Sequence, residues 1–481
     1  MRIVHVASEL APIAKVGGLA DVLLGLSREQ IKQGHHVDLF IPKYDCFSDF
    51  GTSKFQQKGD PFPSFYGNNW HSTKVHFGLV GDLPVHFVDP EHPDRFFARG
   101  NFYGFPDDDK RFLFFARAVL EYLKRQETTP DVIHIHDWHA SLIPLLLKEV
   151  YKNEKISRAK TVLTVHNMSY QGVAPAERLD EIGIPSEKYR HWNELEDPDQ
   201  HGKINFLKGG IAYADAITTV SPTYAQEILS PEGGCRLDPI LRYHQKKLRG
   251  ILNGIDHDAW NPNNDPYLHP LKGKEAYKRA LKEALHLAEG KKPIVSCISR
   301  LVPQKGLHLI KRAIFRTLEK GGQFVLLGSS PDPAIQASFE SMKKALSHNP
   351  DVYFFLRPDE KLSHLIFAGS DMMVVPSIFE PCGLTQLIAL RYGTIPIVRT
   401  TGGLADTVED IDYSKLPLEK RNGYRFDTPD QAGIDSALDR ALDCWFEDPK
   451  KWDDLKNRAL KHDSSWKLPA LSYDKVYHSL Y

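Results

Sequence analysis

Cysteine is scarce in this sequence of 481 residues, and no two cysteines form a C-x-x-C pair. The five that occur are odd in number and widely spaced, so neither a disulfide framework nor a zinc site is predicted. Long apolar runs are also missing, and no window holds the roughly 18 uninterrupted apolar residues that a membrane-spanning helix needs. The N-terminus lacks the cleavage site of a signal peptide. We therefore expect a reduced, cytoplasmic location and no membrane partner.

Charge of one sign is not in excess, since 61 Lys and Arg stand against 62 Asp and Glu. The overall electrostatic field of the protein therefore does not favour sequence-independent binding of nucleic acid, and no nucleic-acid partner is expected. Hydrophobic residues make up 41% and charged residues 26% of the chain, which is typical of a folded globular protein. The length suits about three average domains or two large ones.

Short β-branched runs alternate with amphipathic stretches, a pattern typical of parallel sheets covered by helices on both faces. In the first half we predict strands at residues 3–7, 37–41, 85–88, 132–136, 161–165 and 216–220. The pattern then restarts, with strands predicted at residues 248–252, 294–298, 323–327, 352–356, 372–375 and 395–398. The fold class is therefore α/β, with two doubly wound domains over residues 1–247 and 248–459. The aromatic-rich segment 460–481 is predicted to form a helix that packs back on an earlier part of the chain.

A five-residue string occurs twice, as GGLAD at 17–21 and again at 402–406, each time where a loop becomes a helix. At the first copy, Lys15 adds a positive charge to Gly17 and Gly18. Glycine amides, a helix N-terminus and a lysine together suit a phosphate, although a tight turn alone also explains a glycine pair. No G-x-G-x-x-G and no P-loop motif is present, which disfavours dinucleotide-binding and Walker-type interpretations.

Polar side chains follow two predicted strands of the first half. His136 and Asp137 end one strand, and His166 ends the next. Ligands of open α/β sheets bind at such carboxyl ends. The spacing of His134 and His136 also permits a metal, but a buried structural role for His134 and groups that orient a polyhydroxylated ligand are the preferred interpretation. No metal site is predicted.

Charged residues cluster at strand ends in the second half as well. Arg300 and Lys305 share one loop and could converge on a diphosphate, unless both are simply solvated cations. Glu380 ends another strand just before a predicted helix that begins at Gly383, which suits a sugar hydroxyl beside an anion site. Cys382 has no adjacent base, so a core position is preferred over a nucleophile.

Taken together, these motifs resemble those of bacterial glycogen synthases and plant starch synthases. The matching segments run in the family's order between residues 10 and 410, and the string EPCGLT at 380–385 is specific. The segments are KVGGLAD at 15–21, HDWH at 136–139, TVHN at 164–167, NGID at 253–256, Arg300 with KG at 305–306, FEPCGLT at 379–385 and TGGLAD at 401–406.

The resemblance implies two Rossmann-like domains facing each other across a deep cleft, the GT-B arrangement, with the C-terminal helix crossing back to the first domain. It also implies retaining transfer of glucose from ADP-glucose or UDP-glucose to the 4-hydroxyl of an α-1,4-glucan such as glycogen or a maltooligosaccharide, without a cofactor. No second carboxylate stands as an obvious backside nucleophile, so front-face transfer is preferred.

The resemblance also implies site residues. Those expected to act in catalysis are Asp137, His166, Arg300, Lys305 and Glu380. Those expected to bind the donor are Lys15, Gly17, Gly18, Asp21, Asn253, Arg300, Lys305, Pro358, Cys382, Gly383, Leu384 and Thr385.

One departure concerns the donor base. Pro358 stands where the ADP-glucose enzymes of the family place a tyrosine that stacks on adenine, so the preference between ADP-glucose and UDP-glucose is open.

Two alternative functions come from other classes of protein. A glucan phosphorylase would need a lysine-bound pyridoxal phosphate, and no segment resembles its lysine site. A non-catalytic glucan-binding relative would lose charged residues such as Lys15, Arg300, Lys305 and Glu380, which are all present.

Overall fold

The computed structural model describes residues 1–47 and 52–481, which form two compact units. The first unit comprises Met1–Gly254 and Trp466–Tyr481, and the second comprises Ile255–Ser465. The boundaries predicted after residues 247 and 459 fall a few residues before these. Among the described residues, no helix has both the length and the apolar character needed to span a bilayer.

The first unit contains twelve strands and six helices before residue 254 in the described residues. The strands are β1 (Arg2–Val6), β2 (His36–Pro42), β3 (Thr52–Gln57), β4 (Phe62–Tyr66), β5 (Asn69–Val80), β6 (Leu83–Pro90), β7 (Val132–His136), β8 (Lys160–Val165), β9 (Val173–Pro175), β10 (Lys203–Asn205), β11 (Ala216–Thr219) and β12 (Leu248–Gly250). The helices are α1 (Gly18–Lys32), α2 (Asp108–Lys124), α3 (Ile143–Glu149), α4 (Phe206–Tyr213), α5 (Pro222–Glu227) and α6 (Asp238–Tyr243).

The main sheet of this unit has the order β12-β11-β8-β7-β1-β2-β6-β5-β3, with β4 also paired to β5. The strands from β12 to β6 run parallel, whereas β5 pairs antiparallel with β6, β3 and β4. The predicted parallel sheet therefore extends from β12 to β6, and the antiparallel edge beyond β6 was not predicted. Strands with one solvated face interrupt their apolar residues with polar ones, so β3 to β5 lack the apolar runs of the buried strands.

The second unit has a six-stranded parallel sheet within the described residues, of order β15-β14-β13-β16-β17-β18. Its strands are β13 (Ile294–Ile298), β14 (Gln323–Leu327), β15 (Val352–Phe355), β16 (Met372–Val375), β17 (Ile395–Arg399) and β18 (Tyr424–Phe426). Its helices are α7 (Lys274–Leu285), α8 (Leu307–Glu319), α9 (Pro333–Ala345), α10 (Glu360–Gly369), α11 (Thr385–Arg391), α12 (Gly402–Thr407), α13 (Gln431–Glu447) and α14 (Pro449–Lys461).

Successive residues of β16 point to opposite faces of this sheet, and both faces are buried. Met372 and Val374 pack in the core beneath α8, α13 and α14. Met373 and Val375 pack in the core on the other side, beneath α7, α10 and α11. Burial on both faces explains why these strands read as nearly continuous apolar runs in the sequence.

Each sheet has a switch point where the strand order reverses. In the first unit it lies between β1 and β7, and in the second between β13 and β16. The loops that leave the carboxyl ends of these four strands carry most of the predicted residues, whereas His166, Asn253 and Pro358 follow β8, β12 and β15. Ligands of open α/β sheets bind at such points, so the topology places the candidate residues where a site is expected.

The strand predicted at 248–252 belongs to the first sheet rather than to the second half. β12 pairs parallel with β11, with Leu248 opposite Ile217. The restart of the strand pattern at residues 248–252 is therefore placed one strand too early, because an edge strand has the same apolar pattern as an inner strand.

The last helix of the chain, α15 (Lys467–His478), packs on α1 in the first unit. Trp466 and Tyr477 are buried in the same core as the inner strands. Gly25 of α1 makes this packing possible, because a Cβ there would lie only 2.0 Å from Nε1 of Trp466.

Candidate active site

The loop after β1 is organised around the buried carboxylate of Glu9. Its Oε2 atom accepts hydrogen bonds from the backbone N–H groups of Val16 and Gly17, at 2.8 and 2.9 Å. Its Oε1 atom accepts from the Tyr103 hydroxyl at 2.9 Å. A buried charge needs such donors to offset its lost hydration. The sequence analysis assigns the Gly17 N–H to a phosphate. In the structure this N–H instead donates a hydrogen bond to Glu9, a carboxylate of the protein itself.

Lys15 and Asp21 form an ion pair at the start of α1, with 3.0 Å between Nζ and Oδ1. Both side chains are partly exposed, so water screens the pair and a ligand can compete for the lysine. A Cβ built on Gly17 would meet no atom within 4 Å, so the space in front of this loop is open. The donor-binding roles of Lys15, Gly17, Gly18 and Asp21 stay predictions.

Asp137 follows β7 in a backbone conformation that residues other than glycine rarely adopt, with φ 58° and ψ −171°. Its side chain is buried, and Oδ1 accepts a hydrogen bond from the backbone N–H of His166 at 2.7 Å. Burial raises the pKa of Asp137 from 3.8 to about 7. The hydrogen bond from His166 lowers this pKa, whereas the negative charge of Glu9 raises it further. A strained backbone at a buried carboxyl with a raised pKa is typical of functional sites.

His166 and Asn253 lie on the same edge of the sheet as Asp137, after β8 and β12. Burial lowers the pKa of His166 to about 3, so its imidazole is neutral at pH 7. Asn253 is buried, and its Oδ1 atom has no hydrogen-bond partner in the described part of the chain. An acceptor left unpaired in the interior is costly, which suits a site that a ligand completes.

Three buried histidines behind His166 form a group of possible metal ligands: His5, His134 and His136, whose nearest ring nitrogens lie within 4.8 Å of one another. The rings of His134 and His136 stack at 4.3 Å, as expected for alternate residues on one face of β7. Both ring nitrogens of each histidine already hydrogen-bond to protein groups. A metal would have to displace these bonds, so the geometry favours a hydrogen-bonded cluster.

In the second unit, Glu380 lies in the loop after β16 and is held by two side chains. Nζ of Lys305 lies 2.5 Å from Oε2 of Glu380, and the Ser377 hydroxyl donates to the same oxygen at 2.8 Å. The other oxygen, Oε1, has no hydrogen-bond donor among the described residues. The structure therefore brings Lys305 and Glu380 into direct contact and leaves one carboxylate oxygen for a ligand.

Gly306 lets the loop of Lys305 approach the loop of Glu380. It has a positive φ of 70°, and a Cβ there would lie 2.3 Å from the carbonyl oxygen of Pro376. Glycine meets both requirements without strain. The Lys-Gly pair of the motif is thus explained by the contact between the two loops.

The second Gly-Gly pair supports the same loop. A Cβ on Gly402 would lie 2.0 Å from the carbonyl oxygen of Glu380, and one on Gly403 would lie 2.2 Å from that of Cys382. The N–H of Gly403 donates to the Glu380 carbonyl at 3.1 Å. Because Gly17 faces open space instead, the repeated string serves two different purposes: an open loop in the first unit and a packed support in the second.

Positive groups remain available on this side of the second unit. Arg300, after β13, is exposed, and its guanidinium forms no hydrogen bond or ion pair with the described residues. The backbone N–H groups of Gly383, Leu384 and Thr385, at the start of α11, likewise have no acceptor in the described part of the chain. A guanidinium fork and unpaired amides suit the oxygens of a diphosphate.

Two further predicted positions differ in exposure. Cys382 is buried, 4% exposed, in agreement with the preferred core interpretation. Pro358 is exposed between β15 and α10, next to Arg357, whose guanidinium lies 4.7 Å from the ring centre of Phe355. The roles of Cys382 and Pro358 in donor binding stay predictions.

Sequence reasoning missed Glu9, Tyr103 and Ser377. Glu9 stands eight residues before Gly17 at the carboxyl end of β1, and Ser377 stands three residues before Glu380. For both Glu9 and Ser377, the position just after a predicted strand was the feature of the sequence that could have indicated a site residue. Nothing local points to Tyr103, which reaches Glu9 from a distant loop.

Comparisons with known proteins identify the family of the chain. Residues 2–243 match the family described as "Starch synthase catalytic domain", and residues 279–462 match "Glycosyl transferases group 1". The fold and the matched families define a glycosyltransferase of the GT-B type. Within that class, the chain belongs to the family of starch synthases and bacterial glycogen synthases.

Individual relatives cover the whole chain. A glycogen synthase of Protochlamydia amoebophila is 48% identical over 496 residues, spanning 100% of this chain and 99% of that protein. The solved catalytic domain of starch synthase IV from Arabidopsis thaliana, bound to ADP and acarbose, is 44% identical with a TM-score of 0.96 and covers 99% of each chain. Sucrose-phosphate synthase from Thermosynechococcus elongatus, 17% identical with a TM-score of 0.60 over 100% of this chain and 98% of that one, shares the fold alone. The predicted family, fold class and enzyme class are confirmed.

Proposed function

We propose that this protein transfers glucose, with retention of anomeric configuration, from a nucleotide-glucose donor to the non-reducing 4-hydroxyl of an α-1,4-glucan. The observation that carries the proposal is the Glu380 carboxylate, fixed by Lys305 and Ser377 at a switch point with one oxygen unoccupied. Exposed Arg300 and the open amides of 383–385 come from the neighbouring loops. A sugar contact beside an anion site is what a nucleotide-sugar enzyme requires.

The leaving group determines the role of the positive groups. As the bond between C1 of glucose and the diphosphate oxygen breaks, negative charge grows on the diphosphate. Arg300, Lys305 and the amides of 383–385 can bind that charge more tightly in the transition state than in the ground state, which lowers the barrier. No cofactor and no metal are assigned to this step.

The sugar gains positive character as the leaving group departs. We assign Oε1 of Glu380 to a glucose hydroxyl, and we assign Asp137 and His166 to catalysis as well. In front-face transfer the acceptor 4-hydroxyl forms the new bond to C1, and its proton passes to the departing phosphate oxygen. The bond made and the bond broken then lie on one face, which retains the configuration.

ADP-glucose is the preferred donor. The solved starch synthase IV relative binds ADP, which supports this choice. Exposed Pro358 offers no ring face to the base, so discrimination between adenine and uracil should lose about 1 kcal/mol or more of stacking. UDP-glucose is therefore expected to serve as a slower donor. A cytoplasmic location is proposed with this substrate choice.

Initial rates with glycogen as acceptor test the proposal. ADP-glucose should be used fastest and UDP-glucose measurably. Pro358→Tyr should raise kcat/KM for ADP-glucose relative to UDP-glucose, whereas Pro350→Tyr, an exposed proline before the amino end of β15, should leave the ratio unchanged. Chain extension from glucose-1-phosphate alone, with neither nucleotide sugar active, would identify a phosphorylase and overturn the proposal.

A further inference from the structure

A continuous chain of buried hydrogen bonds runs from His166 to the C-terminal helix. Nε2 of His166 contacts Nδ1 of His136 at 3.0 Å, and Nε2 of His136 contacts Nδ1 of His5 at 3.0 Å. Nε2 of His5 contacts Oε1 of Gln30 at 2.7 Å, and Nε2 of Gln30 donates to the Tyr477 hydroxyl at 2.9 Å. Four side chains, one each from β7, β1, α1 and α15, are thus linked in one line behind His166, a candidate catalytic residue in the loop after β8.

The imidazoles in this chain are neutral at pH 7. Burial lowers the pKa of His5 to about 4 and that of His166 to about 3, and it holds the pKa of His136 well below its usual value. A neutral imidazole has one N–H donor and one bare nitrogen acceptor. Each imidazole therefore donates at one ring nitrogen and accepts at the other, so all hydrogen bonds of the chain run in the same direction.

The amide of Gln30 sets that direction. Its Oε1 atom can only accept, so Nε2 of His5 carries the proton and Nδ1 of His5 is bare. The bare Nδ1 requires a proton on Nε2 of His136, whose Nδ1 is then bare as well. Because Nδ1 of His136 is bare, Nε2 of His166 must carry a proton, which leaves Nδ1 of His166 as an acceptor. Nδ1 of His166 has no protein partner among the described residues.

Tyr477, on α15, is the hydrogen-bond partner of the Gln30 amide in this orientation. Its hydroxyl receives the Gln30 N–H and can pass its own hydrogen to Nδ1 of His134, 2.8 Å away. Nε2 of His134 then donates to the Thr164 hydroxyl at 2.6 Å. With the hydrogen bonds running in this direction, every donor of the chain has an acceptor. Tyr477 is fully buried, so water does not compete for these bonds.

We propose that Gln30 and Tyr477 are positioning residues for His166. Acting through His5 and His136, they hold the His166 imidazole as its Nε2–H tautomer and present bare Nδ1 as an acceptor for a hydroxyl of the transferred sugar. The second half of this statement rests on the proposed function, whereas the tautomer itself does not. The C-terminal helix thereby takes part in organising the site through one hydroxyl group.

Nitrogen-15 NMR of histidine-labelled protein tests the tautomer without substrate, with the His166 signals assigned by their loss in His166→Gln. The wild type should show the Nε2–H form. Gln30→Met and Tyr477→Phe should each give a mixture of both forms. Tyr473→Phe, which removes another buried hydroxyl from the same helix, should keep the wild-type form. The Nδ1–H form in the wild type, or an unchanged tautomer in both chain variants, would overturn the proposal.

Kinetics test whether the chain acts through His166. Gln30→Met should lower kcat about 10-fold with a smaller change in KM, as the loss of a supporting hydrogen bond does at other sites. In a His166→Gln background the same change should cost little further, because the ring it positions is gone. A full 10-fold cost in that background would assign Gln30 to stability alone. Should the protein transfer no glucose at all, the NMR result still decides the tautomer.

Discussion

At the end of β7, Asp137 combines a left-handed backbone with a buried carboxyl whose pKa burial raises to about 7. The ordinary value for this group is 3.8, so between roughly pH 4 and pH 7 the folded protein keeps a proton that the unfolded chain has lost. Because the folded state then binds more protons, stability falls as pH rises through this window. A buried group that destabilises the fold at neutral pH is best explained by its use in the site.

Asp137→Asn removes the titration while keeping the shape of the side chain. We expect the Tm of this variant to fall less than that of the wild type between pH 5 and pH 8, with a gain of up to about 4 kcal/mol at the higher pH. Thermal unfolding at both pH values measures this. Asp453→Asn, at an exposed carboxyl on α14, should give a curve parallel to the wild type. A parallel curve for Asp137→Asn would show that its carboxyl titrates normally.

Glu380 is the second residue whose surroundings point to chemistry, since Lys305 and Ser377 fix one oxygen and leave the other open. Glu380→Gln should lower kcat at least about 100-fold, the usual effect of removing one electrostatic partner of a transition state. Steady-state rates at saturating donor measure it. Glu319→Gln, at an ion-paired but distant glutamate on α8, should leave kcat unchanged. A near-normal kcat for Glu380→Gln would remove this carboxylate from the mechanism.

Sequence pattern was informative about residues wherever the chemistry follows a strand end. Asp137, His166, Arg300 and Glu380 could be chosen for that reason, and the structure places all four at carboxyl ends of parallel strands. The contact between Glu380 and Lys305 could not be predicted. It depends on how closely two loops approach, which the local sequence does not encode.

Among the elements, the loop after β13 carries two positive residues for which the sequence predicts the same role, but which the structure places in different surroundings. Arg300 has no partner in the described residues, whereas Lys305 neutralises buried Glu380. Both Arg300→Ala and Lys305→Ala should weaken ADP binding about 10-fold by calorimetry. Only Lys305→Ala should also lower the free energy of unfolding, by about 1–3 kcal/mol, because it leaves a buried carboxylate with less support.

Arg279→Ala is the matched control, since this arginine of α7 is exposed and also lacks a partner in the part of the chain that the structure describes. It should change neither ADP affinity nor stability. Unchanged ADP affinity in both Arg300→Ala and Lys305→Ala would reassign the loop after β13 to a structural role.

The contact between α1 and α15 depends on one glycine. Gly25→Ala would place a methyl group 2.0 Å from Nε1 of Trp466, so the indole or the helix must shift. We expect a loss of about 1–3 kcal/mol in the free energy of unfolding, as for other overpacked cores. Trp466→Leu frees the space, so the two changes together should cost less than their sum. Additive losses in chemical denaturation would show that the glycine does not serve this contact.

Elements buried on both faces were predictable, whereas those with a solvated face were not. The inner strands of both sheets are continuous apolar runs and were located to within a few residues. The antiparallel strands β3 to β5 mix polar and apolar residues because one face meets water, so their pattern resembles that of a loop.

At the scale of the whole molecule, the restart of the strand pattern was enough to predict two units, and the order of the motifs was enough to predict the family. The hydrogen-bond chain behind His166 was beyond sequence reasoning. Gln30 and Tyr477 are 447 residues apart in sequence and meet only because α15 packs on α1. Such a contact has no local spacing by which it could be recognised.

Proton NMR of the reaction product shows whether the protein transfers glucose with retention of configuration. Maltooligosaccharide incubated with the protein and ADP-glucose should gain signals of new α-1,4-linked residues, while the same mixture with Glu380→Gln should gain almost none over the same time. β-Linked products would contradict the retaining mechanism. An acceptor that stays unextended with both ADP-glucose and UDP-glucose would show that the protein is not a glucan synthase.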